Sequence, residues 1–171
     1  MVNIEFIDVL TSAGKPTGKR KPKTEIHRDG DWHRAAHVWI IAKRGFLIQR
    51  RSPRKENNPG LWDVSAAGHL SAGESAVDAA VRETFEELGL EIRPDELEFI
   101  AELRDSCVLN NNTYYDNEFH EIFVVRRDVD IASLMLDPEE VAEVKWVKEL
   151  RPDASFVPHG EEYSLVSRLS R

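Results

Sequence analysis

The sequence predicts an α/β fold, a sheet of mixed strand direction packed against a few helices. Three observations lead there. Stretches 34–43, 46–51, 97–109 and 113–127 are apolar, aromatic and β-branched enough for strands, and Asn110-Asn111-Asn112 joins the last two as a hairpin turn. Between Ser71 and Gly89 the apolar spacing changes to the helical period, with Val77, Val81, Phe85 and Leu88 on one stripe. The chain has 171 residues, 41% hydrophobic and 32% charged, a balance that suits one domain with a core of its own.

Taken in order, residues 4–10 read as a strand ended by the turn-rich segment 11–18. A basic cluster follows, Lys15, Lys19, Arg20, Lys21 and Lys23, so residues 1–30 form an N-terminal strand with a basic turn extension. Asp29-Gly30 is a turn signal. Residues 34–43 form a buried strand, and Arg44-Gly45 turns into a second, 46–51. Residues 52–62 are a polar loop with two prolines, and 63–67 a short strand. After the helix come the hairpin strands, a helical turn over 132–136, a loop 137–143 and a strand 144–147. Residues 150–171 form a helical tail, with the helix at 161–169.

The net charge of −8 argues against general affinity for a nucleic acid backbone. An acidic protein that handles phosphates needs cations at its site, either metal or local Lys and Arg. Cys107 is the only cysteine and is expected to be a small buried hydrophobe, in keeping with a cytoplasmic chain without disulfides. The first ten residues lack the pattern of a signal peptide. The longest apolar run, 35–42, is interrupted by His37 and is too short to cross a bilayer.

The most informative stretch is 68–90. Glu83, Glu86 and Glu87 stand at i, i+3 and i+4, which puts three carboxylates on one helix face. Like charges at that spacing repel, and a hard divalent cation with oxygen ligands would offset the repulsion. Ser71 and Glu74 have the spacing of a capping box that opens the helix, and Gly89 closes it. Gly68 is expected at a tight bend, with its carbonyl free to point at a metal.

This stretch resembles the Nudix box, GX5EX7REUXEEXGU, where U is a bulky aliphatic residue. All seven fixed positions match, and the first U is Thr84, which is polar but β-branched. The resemblance implies a Nudix-type α/β/α sandwich with a mixed sheet. It also implies Mg²⁺, or Mn²⁺, held by Glu83, Glu86, Glu87 and the Gly68 carbonyl, with Arg82 and Glu74 orienting the ligands.

Beyond the box, residues 62–69, His33-Arg34-Ala35 and Tyr115-Asp116-Asn117-Glu118 resemble the isopentenyl-diphosphate isomerase branch, over about 27–125. In that branch, histidines matching His33 and His69 bind a metal with carboxylates near Asp116 and Glu118. The isomerase also needs a cysteine where this chain has Ala67, and a methyl group can neither give nor accept a proton. His27, His37 and His159 are read as structural.

The implied reaction is metal-dependent hydrolysis of a diphosphate linkage, in a small nucleoside di- or triphosphate. The alternatives are an isoprenoid diphosphate isomerase, disfavoured by Ala67, and a non-catalytic nucleotide-binding module. Catalytic roles fall on Glu86, Glu87 and Arg82, and the general base is sought among Glu86, Glu87, Glu118, Glu121 and Glu140. Arg50, Arg51, Arg54 and Lys55 are candidates for phosphate contacts. Tyr114 and Trp62 are the preferred rings for a base. Tyr114 shares a strand face with Asp116, Glu118 and His120, whereas Tyr115 and Phe119 take the other.

Overall fold

The computed structural model describes residues 4–170. Nine strands and three α-helices follow one another as β1 (Phe6–Leu10), β2 (Pro16–Pro22), α1 (Lys23–Asp29), β3 (Trp32–Ala42), β4 (Gly45–Arg51), β5 (Trp62–Asp63), β6 (Ala66–His69), α2 (Ala76–Leu88), β7 (Glu98–Leu109), β8 (Tyr114–Arg126), β9 (Val141–Val147) and α3 (Glu161–Ser167). All nine strands belong to one mixed sheet.

Strand β3 is its spine. It pairs in parallel with β8 from Trp32↔Asn117 to Ile41↔Arg126. Along its other edge it changes partner, meeting β4 at 40–42, β6 at 35–38 and β1 at Trp32. Strands β7 and β8 form the expected hairpin, and Asn110, Asn111 and Asn112 all take positive φ, a conformation asparagine tolerates better than most residues.

Alternation along β3 divides the core into two layers. Ala36, Val38 and Ile40 pack with Ala79, Ala80 and Leu88 of α2 on one face. Trp39 and Ile41 pack with Tyr163 and Val166 of α3 on the other. Both faces are covered, which makes the fold an α/β/α sandwich and explains why β3 reads as a nearly unbroken apolar run.

Two elements depart from the sequence expectation. The basic cluster is not a free turn: most of it lies on β2, paired antiparallel with β1, and Lys23 opens α1. β2 is a polar edge strand with no alternating apolar signal, and its Lys and Arg residues suit an edge that faces water. Helix α1 buries only Ile26 and His27, too little to mark a helix by periodicity. Cys107 is half-buried on β7 rather than fully buried, and burial pushes its thiol up to about 12.

Candidate active site

A cavity of about 580 Å³ is lined from the place where β3 exchanges β4 for β6, by residues including Ala35, Ala67, Gly68 and His69. Glu83, Glu86 and Glu87 face the same cavity from α2.

The helix starts later than the sequence suggested. Ser75, not Ser71, caps it, with Oγ accepting from the Asp78 amide at 3.1 Å. Glu74 does accept from the Ser71 amide at 2.8 Å, but its carboxylate also receives two hydrogen bonds from Arg82, both at 2.8 Å. Arg82 further donates to Glu83 at 2.6 Å, Glu86 at 3.2 Å and the His69 carbonyl at 3.0 Å. One guanidinium thus ties the loop before the helix to two of the three box carboxylates.

The buried stripe of α2 is also rotated from the expected one. Phe85 is 50% exposed, and Ala79, Ala80, Thr84 and Glu87 are buried beside the expected Leu88. Thr84 packs without strain because its hydroxyl donates to the Ala80 carbonyl at 2.7 Å. The rotation carries Glu87 into the interior, where its Oε2 accepts from Gln49 at 2.7 Å and from the Ala67 amide at 3.1 Å. The three carboxylates therefore do not share one solvated face: Glu86 is mostly exposed, while Glu83 and Glu87 are enclosed.

Gly68 is not at a tight bend. It sits within β6, paired with Ala36, and the space a side chain would need is taken. A Cβ there would lie 2.0 Å from Cδ of Glu83 and 2.1 Å from its Oε1. Glycine is needed so that the carboxylate can press against the strand.

The electrostatics fit a hard cation. Burial raises Glu83 to about 7 against the pull of Arg82, and burial plus the charge of Glu83 raises Glu87 to about 8. Two enclosed carboxylates with too little positive charge between them, beside a third from Glu86, form an all-oxygen donor set suited to Mg²⁺ or Mn²⁺.

Among the cations, Arg51, Lys55 and Lys23 line the cavity. Arg51 is held by Asp63 and the Asn57 carbonyl at 3.1 Å each, and Lys55 pairs with Glu140. Arg50 is not among the lining residues: it is half-exposed and bonded to Gly60 and Glu143. Arg54 pairs with Glu139 and lines a neighbouring pocket. Trp62 is also outside, packed against the α3-side core under Lys145, because alternation sends its neighbour Asp63 to the cavity instead. Tyr114 does line the cavity, its ring stacked on His27 at 4.1 Å, whereas Phe119 is buried beside Trp32. Of the base candidates, Glu86, Glu87, Glu118 and Glu140 line the cavity, and Glu121 is engaged by Arg34 at 3.2 Å.

All six histidines gather at this wall in two groups, and His37, His69 and His159 line the cavity. His27, His33, His69 and Asp116 form one, with ligand atoms within 4.8 Å of one another. The Nδ1–H of His27 donates to the Tyr115 carbonyl (3.2 Å), which turns its Nε2 lone pair inward. His33 instead faces acceptors on both sides, the Asp31 carbonyl at Nδ1 (3.1 Å) and Glu118 at Nε2 (3.1 Å), and against the lowering effect of burial Glu118 raises it. His27 Nε2 and Asp116 Oδ1 have no hydrogen-bond partner although both are buried. Burial lowers His69 to about 4, so its imidazole is neutral, and this group fits a cation as well. His37, His120, His159 and Glu162 form the second group. Glu118 joins the two, with Oε1 at 3.1 Å from His33 and His69 and Oε2 at 2.8 Å from His120. The structural reading of His27, His37 and His159 missed these groups.

The NUDIX domain model matches residues 31–161. The chain belongs to the Nudix family. It is 41% identical to Nudix hydrolase 3 of Arabidopsis thaliana over 91% of its own length, but that match spans only 22% of the plant protein. An uncharacterised Nudix hydrolase of Listeria monocytogenes is 32% identical, with 91% of this chain and 90% of the relative covered. Isopentenyl-diphosphate Δ-isomerases of Cereibacter sphaeroides are 36% identical over 73% of this chain and 68% of theirs. Among solved structures, the Deinococcus radiodurans protein DR0079 matches with a TM-score of 0.62 at 23% identity, covering 84% of this Nudix chain and 83% of its own.

Proposed function

We propose that this Nudix chain hydrolyses the diphosphate linkage of small nucleoside di- or triphosphates, with Mg²⁺ or Mn²⁺ held by Glu83, Glu86, Glu87 and the Gly68 carbonyl. The observation that carries the reading is the convergence of those carboxylates and of Arg51, Lys55 and Lys23 on one cavity. Its 580 Å³ is within the size range of small-ligand sites. When bound, the cation neutralises phosphate charge and acidifies the attacking water.

The side chains divide the remaining work. Arg82 fixes Glu83 and Glu86, while Gln49 and the Ala67 amide fix Glu87. Arg51 and Lys55 exchange their carboxylate partners for phosphate oxygens. Glu86 and Glu140, the least enclosed carboxylates of the wall, are the best placed to take a proton from water. Glu118 is a poor base, because three histidines hold it well below the usual carboxylate range. Tyr114 offers a ring for the nucleobase. In a reducing cytoplasm, where this reading places the chain, Cys107 stays a thiol.

Isomerase chemistry is disfavoured by the cavity itself. Ala67 lines it, so the position beside Gly68 faces the chemistry and offers only a methyl group. Incubation with a nucleotide panel and Mg²⁺, with released phosphate and pyrophosphate measured, tests the proposal. Release that stops in EDTA is expected. Full activity in excess EDTA, or cleavage of a prenyl diphosphate and no nucleotide, overturns it.

A further inference from the structure

We propose that His37, His120, His159 and Glu162 bind a transition-metal ion, of the Zn²⁺ class, that staples the C-terminal segment to the sheet. The donors come from distant parts of the chain. His37 lies on β3, His120 on β8, His159 just before α3 and Glu162 within it. Their ligand atoms all lie within 4.8 Å of one another. A tetrahedral site with bonds of about 2.0–2.1 Å has donor separations of about 3.3 Å. The His37 Nδ1 to Glu162 distance is already 2.9 Å and that of His120 Nδ1 to Glu162 is 3.7 Å, so small side-chain movements close the set.

The outer hydrogen bonds point the rings inward. His120 Nε2–H donates to Glu118 at 2.8 Å, and His159 Nε2–H donates to Asp63 at 2.6 Å. Each leaves an Nδ1 lone pair for the interior, the carboxylate–histidine–metal arrangement. Trp39 Nε1–H donates to Glu162 Oε1 at 2.8 Å and orients that carboxylate, whose two oxygens lie 3.0 and 2.9 Å from His37 Nδ1.

Glu162 is fully buried and is the one carboxylate inside the set, while Glu118 and Asp63 approach His120 and His159 from outside. Protons on both His120 and His159 would place two cations beside the His37 ring, which stacks on His120 at 4.0 Å and meets His159 at 4.9 Å. One divalent ion replaces those protons and leaves three neutral imidazoles as ligands. Three nitrogens to one carboxylate oxygen select a borderline transition metal over Mg²⁺ or Ca²⁺. Four protein ligands leave no open position, as in structural zinc sites. The ion would fix a cavity wall, because His37 and His159 reach the cavity while Glu162 anchors α3 behind them.

The full chain, stripped of metal by chelator, is titrated with Zn²⁺ in excess Mg²⁺, which occupies the box carboxylates and spares imidazole. In a His33→Ala/His69→Ala background, which disables the first histidine group, one equivalent of Zn²⁺ per chain is expected to survive desalting. X-ray absorption of that sample is expected to show a four-coordinate ion with three imidazole nitrogens. Adding His159→Ala is expected to weaken binding by at least about 100-fold, beyond the 10–100-fold of an outer partner. Should a variant fail to fold, anomalous scattering at the zinc edge from crystals of the wild-type chain decides, since it places each bound ion. A zinc-soaked wild-type chain with no ion among His37, His120, His159 and Glu162 overturns the proposal. So does Zn²⁺ retained equally after His159→Ala, or a background variant that folds and retains none.

Discussion

Replacing Gly68 by alanine isolates the contact on which the box depends. The new Cβ would fall 2.0 Å from Cδ of Glu83, far inside van der Waals contact. The strand cannot yield, because its neighbours Ala67 and His69 are laddered to β3. The carboxylate end of Glu83 can swing, and it must move by roughly 1.5 Å to reach an ordinary separation of about 3.5 Å. Displacing a positioned group by about 1 Å costs on the order of 10² in rate. Gly68→Ala should therefore lower kcat/KM about 100-fold and raise the Mg²⁺ concentration needed for half-maximal rate. Thermal stability in EDTA should barely change, because Glu83 is raised to about 7 by burial and loses little by turning toward water. The sharpest readout is a double-mutant cycle. Alanine at 68 acts through Glu83, so Gly68→Ala/Glu83→Ala should be no slower than Glu83→Ala alone. Independent, multiplying losses, or a Gly68→Ala enzyme within twofold of wild type, would refute the reasoning.

Glu83→Gln, Glu86→Gln and Glu87→Gln should each lower Mg²⁺-dependent hydrolysis at least about 10-fold, and about 10²–10⁴-fold where the residue is also the base; steady-state rates that stay near wild type would remove that residue from the machinery. For pH, Glu87 has an ordinary value of 4.5 and stands at about 8 when folded. The folded state therefore binds its proton more tightly, and metal-free stability falls as pH rises from about 5 through 8. The fall from Glu87 is at most roughly 4–5 kcal/mol at about 1.36 kcal/mol per pH unit, so urea melts in EDTA should show a shallower slope for Glu87→Gln, and an identical slope counts against a buried, proton-holding Glu87. The chain should not interconvert isopentenyl and dimethylallyl diphosphate, which NMR of the product mixture would reveal. Tyr114→Ala should raise KM for the best nucleotide more than it lowers kcat, since stacking is largely uniform binding; an unchanged KM removes the ring from the site.

The strands, the box helix and its closing Gly89 were legible because each carries a local signal. Gly89 takes φ 63° and its amide caps the Phe85 carbonyl, as a terminal glycine should. The rotation of α2 was not legible. Periodicity favoured Phe85 as a core residue, but Ala76, Ala79 and Ala80 let the helix lie close to the sheet and leave the larger ring in water. Thr84 and Glu87 come inward because each finds its hydrogen bonds there, which hydrophobicity alone does not score. The same limit affected the cationic run 50–55, where only the strand's alternation and the later loop separate Arg51 from Arg50.

The histidines show how a cluster can be present in a sequence and still unreadable one residue at a time. Each is, taken singly, a reasonable core residue. His33 and His37 share one face of β3, and Glu118 and His120 share one face of β8, signals of period two that were available. What the sequence does not state is that β3 and β8 pair in parallel with His33 opposite Glu118 and Ala35 opposite His120. That register sets Glu118 between His33 and His69 on one side and His120 on the other, so one carboxylate serves both groups. A slip of one residue would send Glu118 to the opposite face and dissolve both groups at once. The small residue opposite His120, Ala35, leaves room for this inward cluster, so a larger side chain there should disturb the histidines before it disturbs the box.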